Sequence, residues 1–333
     1  METLLLDPED VEASAQMPEI IDAVEGAFAA DARGDTQMPA KSYIDLPQYN
    51  GDFRSMPAYI DAREGVGENW EAAGVKWVNS HPDNPDRNDL PTVMGTMIYS
   101  DPDTALPLAV LDGTTLTRLR TGAAAAVATK YLAREDATSL GLVGAGIQAY
   151  TQLEAIAEVR PIEAVVVADV DEAAVQAVID RYGDDYDVRA GTNAEAAACD
   201  VVSTTTPVEE PVVGEVGETT HVNAMGADAE GKHEIADSVL QDATLVIDDY
   251  EQCTHSGEIN VPWSAGLLDD DDLHGEVGDV VAGLIDGRTD DDGVTVFDST
   301  GLAIQDVAAS HVIYEGARER GAGTDFALVG TGD

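Results

Sequence analysis

Lysine is nearly missing from this chain. Four occur in 333 residues, at positions 41, 76, 130 and 232, and Lys and Arg together number 17 against 65 Asp and Glu. With no basic stripe to neutralise phosphates, nucleic-acid binding is excluded. Cysteine is as scarce: Cys199 and Cys253 are too few for a disulfide scaffold and lack zinc-ligand spacing, so no metal site is expected. No apolar run approaches the roughly 18 residues of a membrane span, and the N-terminus has no signal-peptide pattern. A cytoplasmic protein without a membrane partner is expected.

Carboxylate is what the chain has in excess. A formal net charge of −48 repels itself severely in dilute salt, but the screening length falls to about 3 Å at molar salt. That balance points to adaptation to a high-salt cytoplasm, with the acids spread over the surface. The acidic runs at 269–272 and 290–292 are then solvated loops. The length permits two domains with separate cores.

The most informative stretch is 139–149, Ser-Leu-Gly-Leu-Val-Gly-Ala-Gly-Ile-Gln-Ala, an apolar run, a tight turn and the start of a helical pattern. Gly144 permits an unusual backbone angle, Gly146 lets the main chain approach a pyrophosphate, and Ala149 lets helix and strand pack closely. The helix start offers N–H groups to the anion. Glycine turns after strands are common, but a second apolar run, 164–168, ends in Asp169 at the separation expected for the acid that holds the adenosine ribose. Val170 and Asp171 follow, with no Arg or Lys to meet a 2′-phosphate, which favours NAD over NADP. The alternative for Asp169 is a solvated strand end.

Taken in order, the chain opens with a strand at Leu4 to Leu6 and two helical pieces, then reads as short strands between Gln37 and Val110. Residues 61–73 look like a surface insertion. An alanine-rich helix over 114–134 leads into alternating strands and helices, which predict a parallel sheet covered on both faces, and the chain turns helical again from Ala303. The fold class expected is α/β: a Rossmann-type doubly wound domain over 120–306, plus a mixed α+β substrate and dimerisation domain over 1–119 completed by 307–333.

Ligands of such sheets sit beyond the carboxyl ends of the strands. Four stretches end there: Gly144 to Gly146; Thr204, Thr205, Thr206 and Pro207; Gly226, Ala227 and Asp228; and Asp298, Ser299, Thr300 and Gly301. Thr206 can equally be a strand terminator before proline. Asp228 is placed to accept a proton or hold a water, against the alternative of one acid among 65. Lys76 stands out in Val75-Lys76-Trp77-Val78, because partial burial lowers a lysine pKa toward the range useful for proton transfer; a lysine snorkelling from a sheet edge is the alternative. Arg54 and Arg120 are candidates for gripping a carboxylate or phosphate. His81, before Pro82, reads as a turn residue.

Val75-Lys76-Trp-Val-Asn-Ser-His81-Pro, Arg120-Thr121-Gly-Ala-Ala, Gly144-Ala-Gly-Ile147-Gln148, Asn223-Ala-Met-Gly226-Ala227-Asp228-Ala-Glu-Gly-Lys232 and Phe297-Asp-Ser299-Thr300-Gly together resemble the ornithine cyclodeaminase/μ-crystallin family, and within it the archaeal amino-acid dehydrogenases. The resemblance implies a homodimer that binds NAD and a small amino or 2-oxo acid. It implies Arg54 and Lys76 on the substrate carboxylate, Lys76 and Asp228 moving protons, and Thr300 near substrate. It further implies Thr92, Arg120, Thr121, Ile147, Gln148, Asp169, Lys232 and Ser299 about the NAD. The implied reaction is oxidative deamination of L-alanine. Cyclisation of ornithine, with Glu68 or Glu71 seating its distal amine, ketimine reduction and nucleotide binding without turnover are the alternatives, since fold does not fix function.

Overall fold

The computed structural model describes residues 2–63, 70–289 and 293–330. Its strands, in chain order, are β1 (Thr3–Leu6), β2 (Thr36–Gln37), β3 (Ser42–Leu46), β4 (Gly51–Asp61), β5 (Glu71–Ser80), β6 (Val93–Ser100), β7 (Pro107–Asp112), β8 (Ser139–Val143), β9 (Ala164–Ala168), β10 (Asp187–Ala190), β11 (Val201–Thr204), β12 (His221–Ala224), β13 (Thr244–Ile247), β14 (Leu273–Glu276), β15 (Thr295–Asp298) and β16 (Thr324–Phe326). Two compact units divide them, Met1–Arg120 with Leu302–Asp333 and Thr121–Gly301. Among the described residues, no helix is long and apolar enough to cross a membrane.

In the first unit the strands lie in the order β16-β1-β7-β6-β5-β4-β2, with β3 also beside β4. β1 runs parallel to β7, whereas β4 to β7 form an antiparallel meander. Side chains alternate between faces as strand geometry requires: Met56, Ala58 and Ile60, Ala72, Lys76 and Val78, and Met97 and Tyr99 are buried on one face. The helix Ala303–Arg320 packs on β4, β5 and β6 and against the helix Met17–Arg33. Every residue of it from Ala303 to Ser310 is buried, so Gln305 and Asp306 are drawn into an otherwise apolar core. Pro57, with no N–H to give, falls between the segments of β4 that pair with β3 and with β2.

The expectation of a surface insertion over 61–73 needs correction. Asp61 ends β4 and Glu71 begins β5, Ile60 pairs with the buried Ala72, and the Trp70 ring stacks 4.4 Å from His311. The stretch is a hairpin whose limbs are core strands; residues 64–69, Glu68 among them, lie outside the described residues, as do 290–292.

The second unit is a parallel sheet in the order β10-β9-β8-β11-β12-β15-β13-β14. Among its strands, β8, β9, β11 and β13 are rich in Val, Leu and Ala because both faces are covered: Leu140, Leu142, Leu153, Val165 and Val178 belong to one cluster, Val202, Val222, Leu240 and Ile247 to another. From β8 the chain winds outward through β9 to β10, then returns to β11 on the other side of β8. The strand order therefore reverses beside β8, the place where sheets of this kind bind their ligands.

Candidate functional site

In the second unit the glycine turn has the geometry its residue types allow. Gly144 has a φ of +104°, and a Cβ there would lie 3.0 Å from Thr205 Oγ1. Its N–H donates to the Ala168 carbonyl at 2.9 Å, and Thr205 N–H to Val143 at 2.9 Å, which fixes the end of β8 to both neighbouring strands. Gly146 caps the helix Ile147–Val159 without a side-chain hydrogen bond. Nothing lies within 4 Å of where its Cβ would be, so the space before the helix N–H groups is open to an anion. Asp169 is set against this turn, Oδ2 accepting from Ala145 N–H at 2.7 Å and Oδ1 from Asp171 N–H at 2.9 Å. Asp171 instead caps the helix Glu172–Tyr182 through the N–H groups of Ala173 and Ala174. Ile147 and Val170 are 67% and 103% exposed, leaving apolar surface beside the turn. Gln148 Oε1 is buried without a partner among the described residues. An anion cradle, a carboxylate and exposed apolar flanks fit a dinucleotide.

The loops after β11 and β12 rest on buried acids. Thr206 donates to Glu234 Oε1 from its N–H at 2.7 Å and its hydroxyl at 2.6 Å. Glu258 Oε1 accepts from the N–H groups of Glu234 and Ile235 at 2.8 and 2.6 Å, and Asp298 accepts from those of Glu258 and Ile259 at 2.8 and 3.1 Å. Burial raises the carboxyls of Glu234 and Glu258 and pushes Asp298 up to about 7. Asp248 takes hydrogen bonds from Ser299 and Thr300 hydroxyls at 2.9 and 3.2 Å and from Gly301 N–H at 2.9 Å. The Ser299 and Thr300 hydroxyls, their protons spent on Asp248, would meet a ligand as acceptors. Lys232 donates to the Gly226 carbonyl and lies 3.4 Å from Asp228, bracing the loop around the buried Ala227 and keeping a half-exposed Asp228 beside a cation. Thr121 lends its carbonyl to Gln152 Nε2 at 3.4 Å.

The first unit holds Lys76. Its side chain is 1% exposed, and Nζ donates to Asp306 Oδ1 at 2.7 Å and Thr117 Oγ1 at 3.1 Å. Arg120 Nε lies 3.1 Å from that same Asp306 oxygen, and its Nη1 donates to Gln305 Oε1 at 3.0 Å. Burial, far from water, is the main reason the Lys76 ammonium is lowered to about 7; Asp306 opposes the shift, and Arg120 and Lys41 add to it. Arg54 shares the inner face with Lys76, one cross-strand row along, and is clamped to Asp52 by two hydrogen bonds of 2.9 Å. Thr92 sits before β6, its carbonyl accepting from His81 N–H at 2.8 Å. Glu71 accepts from the Tyr59 hydroxyl at 2.9 Å and from Arg63 Nη1 at 3.4 Å.

The structure thus brings Lys76 and Arg120 together through Asp306, and Ser299 and Thr300 together through Asp248. Asp306, Asp248 and Glu234 escaped sequence reasoning. Asp248 ends an apolar run and Asp306 lies in a mostly apolar stretch, a signal diluted where 65 acids are spread along the chain, and Glu234, between His233 and Ile235, has no such signal.

Comparison with known proteins adds the following. The profile of the ornithine cyclodeaminase/mu-crystallin family matches residues 1–321. An alanine dehydrogenase of Archaeoglobus fulgidus is 48% identical over 328 residues, 97% of this chain and 98% of that one. The solved dimer of an archaeal alanine dehydrogenase with bound NAD superposes with a TM-score of 0.92 at 47% identity, covering 99% of this chain and 100% of that one. The Δ1-pyrroline-2-carboxylate reductase of Thermococcus litoralis, solved with NADH and L-proline, superposes at 0.89 with 35% identity, covering 97% and 99%.

Proposed function

The chain belongs to the ornithine cyclodeaminase/mu-crystallin family, and on that premise we propose that it catalyses the reversible NAD-dependent oxidative deamination of L-alanine to pyruvate and ammonia. The observation that carries the reading is Lys76, a buried amine brought down to about 7 and therefore able to take and return a proton at neutral pH. The 48% identity to an alanine dehydrogenase along 97% of the chain supports alanine as the substrate.

In this reading the second unit holds NAD: the pyrophosphate on the N–H groups after Gly146, the adenosine ribose on Asp169, and Thr206 and Ser299 as polar contacts farther along. Bound NAD supplies a hydride acceptor. Arg54 binds the carboxylate of alanine, joined by Lys76 only while that residue is protonated; as the neutral amine, Lys76 takes the proton that the substrate nitrogen must shed before its Cα–H bond can break. Water then adds to the resulting iminium carbon and ammonia leaves, with Asp228 as the base toward that water. The Arg120–Asp306 pair keeps Lys76 in place. A homodimer accords with the apolar outer face of the first sheet, where Ile44, Trp77 and Ile98 are exposed.

Reduction of a cyclic imine is the second reading, favoured by the likeness to the pyrroline-carboxylate reductase. One assay series in molar KCl separates the possibilities. NADH formed from L-alanine and NAD supports the dehydrogenase. NADH consumed by Δ1-pyrroline-2-carboxylate, with no alanine activity, supports the reductase. Ammonia released from ornithine without net NADH supports the cyclodeaminase, and NAD binding with none of these products supports a binder.

A further inference from the structure

We propose that Asp306 is a positioning residue that aims the Lys76 amine and governs how readily it carries a proton, in competition with Arg120 for one carboxylate oxygen. The proposal rests on reading Lys76 as the proton acceptor.

Lys76 sits on β5 and Asp306 lies 230 positions later, on the buried first turns of the helix Ala303–Arg320. Oδ1 of Asp306 accepts a hydrogen bond from Lys76 Nζ at 2.7 Å and stands 3.1 Å from Arg120 Nε, an ion pair by distance in which Nε makes no hydrogen bond among the described residues. The groups facing Lys76 come from three other segments: Asp306 from the last helix, Thr117 and Arg120 from the helix Gly113–Leu132, and Lys41 from the stretch before β3. One anion thus faces three cations, counting Lys76 itself. Lys41 is only partly buried and stands outside the buried group; within that group, with Asp306 ionised, Asp306 and Arg120 cancel and a neutral Lys76 leaves it uncharged. A protonated Lys76 adds a single positive charge, and Asp306 is the carboxylate that faces it. The carboxylate therefore brings both protonation states within reach, where burial beside Arg120 alone would allow only the neutral amine.

The same contacts aim the amine. Thr117 donates its own proton to the Gly113 carbonyl at 2.6 Å, so toward Lys76 it acts as an acceptor, as Asp306 does. Two N–H directions of Nζ are thereby committed to acceptors. When the third proton leaves, the lone pair is fixed in the remaining tetrahedral direction, which makes Lys76 an oriented base.

The scarcity of lysine makes a direct test practical, since lysine labelled with 13C at Cε gives four resonances. Asp306→Asn keeps an oxygen for Lys76 while removing the charge, and its NH₂ takes the place of Oδ2, which has no partner among the described residues. The Lys76 midpoint is expected to fall by about 1–3 pH units, the usual effect of losing a carboxylate partner, with Lys130 and Lys232 unmoved. Arg120→Gln is expected to shift it upward, and Asp306→Glu to restore it. The acid limb of kcat/KM for alanine oxidation should move with the midpoint in each variant, more through kcat than through KM.

A Lys76 midpoint that stays put in Asp306→Asn overturns the proposal. So does a pH profile that fails to follow a midpoint that has moved. Should Asp306→Asn not fold, Arg120→Gln decides alone, and an unchanged or lowered midpoint there contradicts competition for the shared oxygen. The titration needs no turnover, so a moved midpoint without alanine-dependent NADH would count against the proposed substrate and not against the coupling.

Discussion

At Lys76, the decisive fact is that an amine has been placed almost wholly out of contact with solvent, at 1% exposure. Oxidation of alanine needs this amine without its proton, so kcat/KM is expected to rise with pH and level off above about 7; reductive amination of pyruvate needs the ammonium and should decline over the same range. Steady-state profiles in both directions test the sign. Lys76→Met should slow turnover by ~10²–10⁴-fold, the usual worth of a positioned acid or base, while NAD binding to the second unit is retained. The same shift has a stability consequence. The folded value lies below the 10.5 of a free lysine, so between about 7 and 10.5 the unfolded chain binds more protons. This group's contribution to stability therefore rises with pH across that window, and its penalty is complete below about 7. Urea unfolding of Lys76→Met should show a flatter pH dependence there. Lys76 was legible because a lysine among apolar strand residues is conspicuous in a lysine-poor chain. Asp306 was not, because its partner is on another element 230 positions away and nothing local joins them.

Strands, turns and helices separate what the glycine turn does for the fold from what it does for a ligand. Gly144, at a φ of +104° and crowded by Thr205, is required by the chain itself: alanine there should destabilise by about 1–3 kcal/mol through backbone strain alone. Gly146 has an ordinary φ of −69° and open space where a side chain would go. Gly146→Val should keep its melting temperature close to that of the parent yet weaken NAD binding at least about tenfold, read by calorimetry, because the side chain fills the space a phosphate needs. The parallel sheet was readable since its first two strands, β8 and β9, are buried apolar runs, one ending at Gly144 and the other at Asp169. The limbs of the β4–β5 hairpin were not, since Asp61, Glu71 and Ala73 alone carry no apolar pattern; their strand character comes from pairing with each other and with β6. β14, Leu-His-Gly-Glu, and β16, Thr-Asp-Phe, have no periodicity to detect and exist by pairing at sheet edges.

Across the molecule, charge is sorted by depth. Among the described residues the buried acids are Glu234, Asp248, Glu258, Asp298 and Asp306, each held by hydrogen bonds or a cation. The other described acids face water wholly or in part, where salt can screen them. Melting temperature and activity should both climb with KCl toward molar concentrations and collapse in dilute buffer as the screening length grows from about 3 to about 30 Å; stability independent of salt would contradict adaptation to high salt. The outer face of the first sheet, where Phe53 stacks on Trp77 at 5.3 Å beside exposed Ile44 and Ile98, is the expected dimer contact, and Trp77→Glu combined with Ile98→Glu should sediment as a monomer. The reaction itself is tested most directly with L-alanine deuterated at Cα, by mass spectrometry of the NADH formed in molar KCl. Direct hydride transfer predicts NADH carrying the deuterium, with none released to solvent. Unlabelled NADH, or no NADH at all, would contradict it.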